Sequence, residues 1–217
     1  MINLHERLTA FAMLGAGWVM WLLVLLSIVG LAIVFERVWF FWRTRLDHRA
    51  TQDELRRLLA AGDLAGARGM LSASPAFEAR IVESGLEVAK DGTAAVEDRL
   101  AGAAAMARSQ MERNLAFLGT VGNNAPFVGL LGTVIGVIQA FHALDQSGGQ
   151  ATAGVMATVG EALVATAIGL LVALPAVAFF NYFQRVIRYR LTWADVLGRD
   201  LLAHLKGIDA GGPGAAQ

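Results

Sequence analysis

Three long stretches without charged side chains decide what this chain of 217 residues can fold into. They cover residues 8–35, 114–144 and 153–183, and only the third is interrupted, by Glu161. Because a helix needs about 20 apolar residues to cross a bilayer, each stretch is long enough to be a membrane span. The first is too long for a signal-peptide core, and no small-residue cleavage pattern follows it before Glu36. The sequence therefore predicts three spans.

The rest of the composition excludes several functional classes. The chain has no cysteine, which rules out disulfides and thiolate metal sites, and its four histidines are far apart, so no metal site is predicted. The formal net charge is zero, which gives no sign of a nucleic-acid partner. The sequence contains neither a phosphate-binding glycine loop nor a serine-nucleophile elbow. We expect no cofactor and no enzymatic activity.

Glu161 is the only charged side chain between Asp145 and Arg185. An ionised carboxylate near the middle of a bilayer costs about 2.5–3.5 kcal/mol on insertion scales, and such residues usually face a bundle interior or a watery pathway. The functional interpretation is a group that handles ions or protons. The structural alternative is a buried glutamic acid that is protonated or hydrogen-bonded to a neighbouring helix.

The basic residues predict the orientation of the spans. Arginines follow span one, precede span two and follow span three, whereas the connector 145–152 has neither Lys nor Arg. Positive residues accumulate on the cytoplasmic side of a membrane. The prediction is an N-terminus on the outer side with span one (1–42), a cytoplasmic helical domain (43–113), span two (114–144), a loop on the outer side (145–152), span three (153–184) and a cytoplasmic tail (185–217).

The predicted fold class is an all-α, polytopic inner-membrane protein with three transmembrane helices, two of which extend into a helical cytoplasmic domain. Thr51 and Glu54 have the spacing of a capping box at the start of a helix, and Ser74 followed by Pro75 predicts another helix start. A further helix is expected to run from residue 94 into span two without a break before Asn123. The end of the chain, 211–217, is expected to be disordered.

Spans two and three carry ladders of small residues. In lipid, small residues allow two helix backbones to approach closely, while apolar surface alone gives no drive to associate. The sequence therefore predicts that these two helices pack tightly. The ladder of span two consists of Gly129, Gly132 and Gly136, and that of span three of Thr158, Ala162, Ala165, Gly169 and Ala173.

Helix periodicity places other residues relative to Glu161. At 100° per residue, Glu161 shares a face with Ala165, whereas Thr166 lies about 140° away. Thr166 and Thr133 are candidate polar positions of a lumen, and the alternative for each is a hydrogen bond from the hydroxyl to an earlier carbonyl of its own helix. Two prolines predict kinks because they remove a backbone donor: Pro126 and Pro175.

Two consecutive stretches, GNNAPFVGLLGTVIGVIQAFHAL and GEALVATAIGLLVALPAVAFFN, resemble the signature of the ExbB/TolQ/MotA proton-channel family, nearest its ExbB and TolQ branch. The resemblance covers about residues 119–184. By position within it, Glu161 matches the family's intramembrane glutamate, and Thr133 and Thr166 match its two lumen-facing threonines. Pro126 and Pro175 match the family's prolines. The pair Asn123–Asn124 departs from the small or serine-type residues of the nearest branch.

The resemblance implies an assembly and a function. Such proteins form pentamers whose second and third spans line a lumen, and the lumen holds two copies of a single-span ExbD/TolR-like partner with an essential aspartate. The chain would be the stator and channel subunit of a motor driven by the proton motive force, coupled to a TonB- or TolA-like effector or to gliding. A carboxylate and hydroxyl groups can serve Na⁺ as well as H⁺, so both ions are candidates. Two alternatives are an ion-coupled secondary transporter and a structural membrane scaffold.

Overall fold

The structure of the chain is a computed structural model that describes Gly15, residues 17–150 and residues 153–211, with side chains as far as Ile208. Seven α-helices and a short 3-10 turn at Ala89–Asp91 account for most of these residues. The helices are α1 (Gly17–Arg43), α2 (His48–Ala60), α3 (Leu64–Ser72), α4 (Phe77–Glu87), α5 (Thr93–Glu112), α6 (Leu115–Gln146) and α7 (Ala153–Gly211).

The all-α class and the three apolar helices predicted from the sequence are confirmed. Each of α1, α6 and α7 is long and apolar enough to cross a membrane, and no strand occurs in the described ranges. The predicted span one begins at residue 8, so its first part lies outside the described residues, as do residues 151–152 of the predicted connector and residues 212–217 of the predicted disordered end.

The chain divides into two compact units. The first unit comprises the described residues up to Phe35 and within 114–182, and the second comprises Glu36–Arg113 together with the described residues from Phe183 onward. Helices α1 and α7 contribute residues to both units. The first unit therefore contains the three apolar segments, and the second contains the short helices with the two ends of α1 and α7 that join them.

The second unit is built around buried leucines of amphipathic helices. Helix α2 buries Leu55 and Leu59, one turn apart, and they pack in one cluster with Leu197, Leu201 and Leu205 of α7. This spacing places apolar side chains on one face of each helix. The charged residues of these helices are thereby placed on the faces opposite the leucines.

Three helix starts differ from the prediction. Helix α2 begins at His48 and not at the predicted capping box, because the Asp47 carboxylate accepts the Ala50 N–H at 3.2 Å. The Ser74 hydroxyl accepts the Ala76 N–H at 3.3 Å, which moves the start of α4 beyond Pro75 to Phe77. A second aspartate cap, absent from the prediction, opens α3, where the Asp63 carboxylate accepts the Gly66 N–H at 2.7 Å.

The expected continuous helix from residue 94 into span two is wrong. Helix α5 ends at Glu112 and α6 begins at Leu115, and between them Asn114 adopts φ 63°. A left-handed residue cannot continue a right-handed α-helix, and asparagine tolerates that conformation better than most residues do. The break lies just before span two, and α6 runs on through Asn123 and Pro126.

A buried arginine ties two helix ends together in the second unit. Arg190 of α7 is 6% exposed and donates to the Phe41 carbonyl at 2.7 Å and to the Thr44 carbonyl at 2.9 Å. The last carbonyls of a helix lack partners within that helix, so Arg190 caps the end of α1. Its Nε lies 4.0 Å from Oε1 of Glu78, which is 1% exposed and also bonds His48 Nε2 at 3.0 Å.

We expect Arg190→Leu to destabilise the second unit by about 3 kcal/mol or more, because charge-assisted hydrogen bonds are lost and Glu78 stays buried without its cation. The thermal unfolding midpoint of the purified protein in detergent, followed by tryptophan fluorescence, measures the effect. The control is Arg188→Leu, which removes an exposed arginine from the same helix. Equal shifts in the two variants would contradict the capping role.

Candidate functional site

Helices α6 and α7 touch backbone to backbone at two glycines. A Cβ atom added to Gly129 would lie 2.8 Å from the Ala165 carbonyl oxygen and 3.0 Å from the Thr166 Cα. A Cβ added to Gly169 would lie 2.7 Å from the Ala125 carbonyl oxygen and 3.0 Å from the Gly129 Cα. Backbone atoms have little freedom to move away inside two packed helices. The absence of side chains at both positions is therefore a condition of this contact.

The rest of the small-residue ladder continues the contact. A Cβ on Gly132 would meet the Ala165 Cβ at 2.7 Å, and one on Gly136 would collide with the Ala162 Cβ. Ala162 and Ala165 are 1% and 0% exposed. The structure thus brings together all five residues singled out for helix packing, which are Gly129, Gly132, Gly136, Ala165 and Gly169.

Two residues of the contact were missed in the sequence. Gly122 packs on Val177 of α7, where an added Cβ would lie 2.5 Å from Cγ2 of that valine, and Ala125 is fully buried beside Gly169. Both extend the spacing of the ladder by whole turns toward the N-terminal end of α6. The periodicity that identified Gly129 and Gly132 therefore contained the signal.

Glu161 lies beside this contact and not in it. Its neighbour in the sequence, Ala162, faces Gly136 of α6, whereas the Glu161 side chain is exposed. No hydrogen bond or ion pair joins the Glu161 side chain to another residue in the described part of the chain. One form of the structural alternative is a glutamic acid hydrogen-bonded to a neighbouring helix, and the described part of the chain contains no such bond. The Glu161 carboxyl group is therefore exposed at the surface of the first unit.

The two threonines differ in their hydrogen bonding. The Thr133 hydroxyl donates to the Leu130 carbonyl at 2.7 Å, so it makes the intrahelical bond that was the alternative to a lumen role. The Thr166 hydroxyl oxygen is buried and has no hydrogen-bond partner among the described residues. Nearly all buried polar groups have a partner. Thr133 keeps its lone pairs for a further contact, and Thr166 has an unused donor and acceptor.

Both prolines lie inside continuous helices. Pro126 is part of α6 and Pro175 is part of α7. Each lacks an N–H and so leaves a carbonyl one turn earlier, that of Gly122 or Leu171, without its helical donor. The helices bridge these positions without a change of secondary structure, and kinks at the two prolines stay a prediction.

The outer surfaces of the three apolar helices expose large hydrophobic side chains. Soluble monomers seldom expose such contiguous apolar area, so these faces belong against lipid or other membrane helices. The most exposed are Trp21 at 76%, Phe35 at 71%, Leu171 and Leu174 at 70%, Phe127 at 68% and Phe141 at 67%.

Comparison with known proteins agrees with this architecture. The model of the MotA/TolQ/ExbB proton channel family matches residues 73–193, more than half of the chain. The chain belongs to this family. As a family member with three apolar helices long enough to span a bilayer, it is an inner-membrane protein.

Several relatives bear the name Biopolymer transport protein ExbB. The chain is 34% identical to that of Salmonella typhimurium over 205 residues, which cover 90% of this chain and 84% of the relative. It is 43% identical to that of Xanthomonas campestris pv. campestris over 93 residues, covering 43% of this chain and 37% of the relative. It is 36% identical to that of Aquifex aeolicus over 101 residues, covering 46% and 68%.

We expect Gly129→Ala to destabilise the first unit by about 1–3 kcal/mol, the usual cost of overpacking, because the new methyl group meets the Ala165 carbonyl. Gly132→Leu should be more severe and prevent assembly, since a larger side chain forces α6 and α7 apart. Thermal unfolding and size-exclusion chromatography in detergent measure both effects.

The matched control is Gly160→Ala in α7, because a Cβ at Gly160 has no atom within 4 Å. That variant should be as stable as the parent or slightly more stable, since alanine favours helix over glycine. If Gly129→Ala and Gly160→Ala behave alike, the close contact does not stabilise the spans.

Proposed function

We propose that this chain is the stator and channel subunit of a motor driven by the proton motive force, and that Glu161 handles the ion. The observation that carries this proposal is the position of that carboxylate. It is the only charged side chain between Asp145 and Arg185, lies outside the packed contact of α6 and α7, and has no partner in the described chain. Membership of a proton channel family supports the same role.

The energetics of the proposal are adequate. The membrane field supplies about 2.3 kcal/mol per elementary charge per 100 mV, so the passage of a few protons suffices for conformational work. In this mechanism Glu161 is a proton relay or an electrostatic partner of moving groups. Thr133 and Thr166 organise water or the ion beside it. The chain itself acts as a membrane motor component and not as an enzyme.

The proposed orientation follows the arginines. The N-terminus and the connector 145–152 lie in the periplasm, and residues 43–113 and 185–217 lie in the cytoplasm. The partner is an ExbD/TolR-like single-span protein, and the assembly is a pentamer of this chain around two copies of that partner. The exposed apolar faces of α1, α6 and α7 provide surface for lipid and for the neighbouring copies.

The cellular systems that such a motor can serve are Ton-type transduction, Tol-type transduction and gliding, and the ion that drives it is H⁺ or Na⁺. The relatives named Biopolymer transport protein ExbB support a role in transport. A three-span chain has no duplicated half of the kind that secondary transporters often show, which disfavours the transporter alternative. The scaffold alternative is separated from the channel by ion flux that depends on Glu161.

We expect Glu161→Gln to abolish proton flux while the complex stays assembled, because glutamine keeps the size of the side chain and cannot ionise. The measurement is acidification of proteoliposomes that contain the purified complex, under an imposed potassium diffusion potential. Size-exclusion chromatography of the same preparation checks assembly. Normal flux in the assembled variant would remove Glu161 from the mechanism and leave the scaffold alternative.

Native mass spectrometry of the complex, extracted gently from its own membrane, tests the assembly. We expect five copies of this chain with two copies of a small single-span protein that carries an aspartate in its span. The identity of that protein would name the cellular system. A single or dimeric chain without such a partner would contradict the proposed motor.

A further inference from the structure

Two exposed asparagines lie inside span two, in the part of α6 that follows Arg113. Asn123 and Asn124 are both exposed on α6, in a charge-free run that begins after Arg113. Helix α6 begins at Leu115, so at 1.5 Å per residue Asn123 lies about 12 Å along it, inside the charge-free run 114–144. An amide in contact with hydrocarbon loses its hydrogen bonds to water. Each asparagine therefore needs a polar partner at this depth.

The two asparagines meet that need differently. Asn124 Nδ2 donates to the Thr120 carbonyl at 2.8 Å, one turn earlier on the same helix. The side chain of Asn123 makes no hydrogen bond within the described part of the chain. The helix thus provides a partner for one donor of Asn124. The two N–H donors and the carbonyl acceptor of the Asn123 amide are available to a group outside the helix.

Helix geometry separates the directions of the two side chains. At 100° per residue, Asn123 lies about 80° from Thr133 around the helix axis, whereas Asn124 lies about 180° from it. Asn123 therefore lies nearer the side of Thr133, and Asn124 lies on the opposite side. The two residues share a turn and a chemistry but face different surroundings.

The contacts between α6 and α7 also fix the levels along the spans. Gly136 packs against α7 at the residue that follows Glu161, and Gly122 packs at Val177. Gly136 follows Gly122 by fourteen positions, which corresponds to about 21 Å along the helix axis. Asn123, next to Gly122, therefore lies roughly 20 Å from the level of Glu161, toward the end of α7 that continues to Arg185. Thr133 lies between them.

We propose that Asn123 is a polar step of the ion pathway between Glu161 and the arginine-bearing ends of the spans. This inference rests on the proposed channel function. The amide holds a water molecule by donating to it or accepting from it, and a proton that joins this water is matched by one that leaves toward the next. Asn123 itself neither gains nor loses a proton. Asn124 has no such role.

The test compares Asn123→Leu with Asn124→Leu in the assembled complex, reconstituted with its partner subunits in proteoliposomes under a potassium diffusion potential. We expect Asn123→Leu to lower proton flux by about tenfold or more, since about 1.4 kcal/mol of added barrier corresponds to that factor. Asn124→Leu should keep the flux within about twofold. Asn123→Ser, which restores a hydroxyl, should recover most of it.

Each other outcome overturns the inference. Parental flux in assembled Asn123→Leu excludes Asn123 from the pathway. Equal losses in the two leucine variants show a general effect of apolar substitution. Failure of Asn123→Leu to assemble, together with full flux in assembled Asn123→Ala, makes the residue a contact between chains. Glu161→Gln in parallel distinguishes the two proposals: if it blocks flux and Asn123→Leu does not, only this inference fails.

Discussion

The contact between the backbones of α6 and α7 is the constraint on which the first unit depends. Lipid tails are as apolar as leucine, so two spans gain little by hiding hydrophobic surface from each other, and close packing must supply the attraction. At Gly129 and Gly169 the two backbones approach so closely that a single added carbon would meet a carbonyl oxygen. Weak Cα–H···O contacts become available at such distances. No larger residue allows this geometry.

This contact also determines where Glu161 is directed. Ala162 and Ala165 are buried against α6, and a residue next to them in the helix must lie to one side of the contact. Glu161 is turned about 100° from Ala162, and its side chain is exposed on the surface of the unit. The packing of small residues thus indirectly sets the environment of the one charged group in the span.

The sequence was sufficient for some features and not for others. The three spans and the small-residue ladder could be predicted because long charge-free runs and spacings of three and four residues have direct physical meaning. The break at Asn114 could not, because one left-handed residue between two helix-forming segments leaves no periodic signal. The aspartate cap of α2 at Asp47 competed with an equally plausible capping box at Thr51, and only tertiary contacts decide between them.

The buried ionic cluster of the second unit was also hidden in the sequence. Arg190 and Glu78 look like ordinary solvated charges on helices, yet they are 6% and 1% exposed. Their burial depends on where α1 ends, since the Phe41 and Thr44 carbonyls supply the acceptors for Arg190. Such a role arises only when three segments distant in the sequence meet, and the residue pattern along the chain does not reveal it.

In the first unit, the residues that hold the helices together and those that offer polar groups are direct neighbours in the chain. A step of one residue turns a side chain by about 100°, which moves it from the packed face to its margin. Packing and ion handling can therefore be altered separately, although both use the same two helices. The neighbouring pairs are Gly122 with Asn123, Gly132 with Thr133, Ala162 with Glu161, and Ala165 with Thr166.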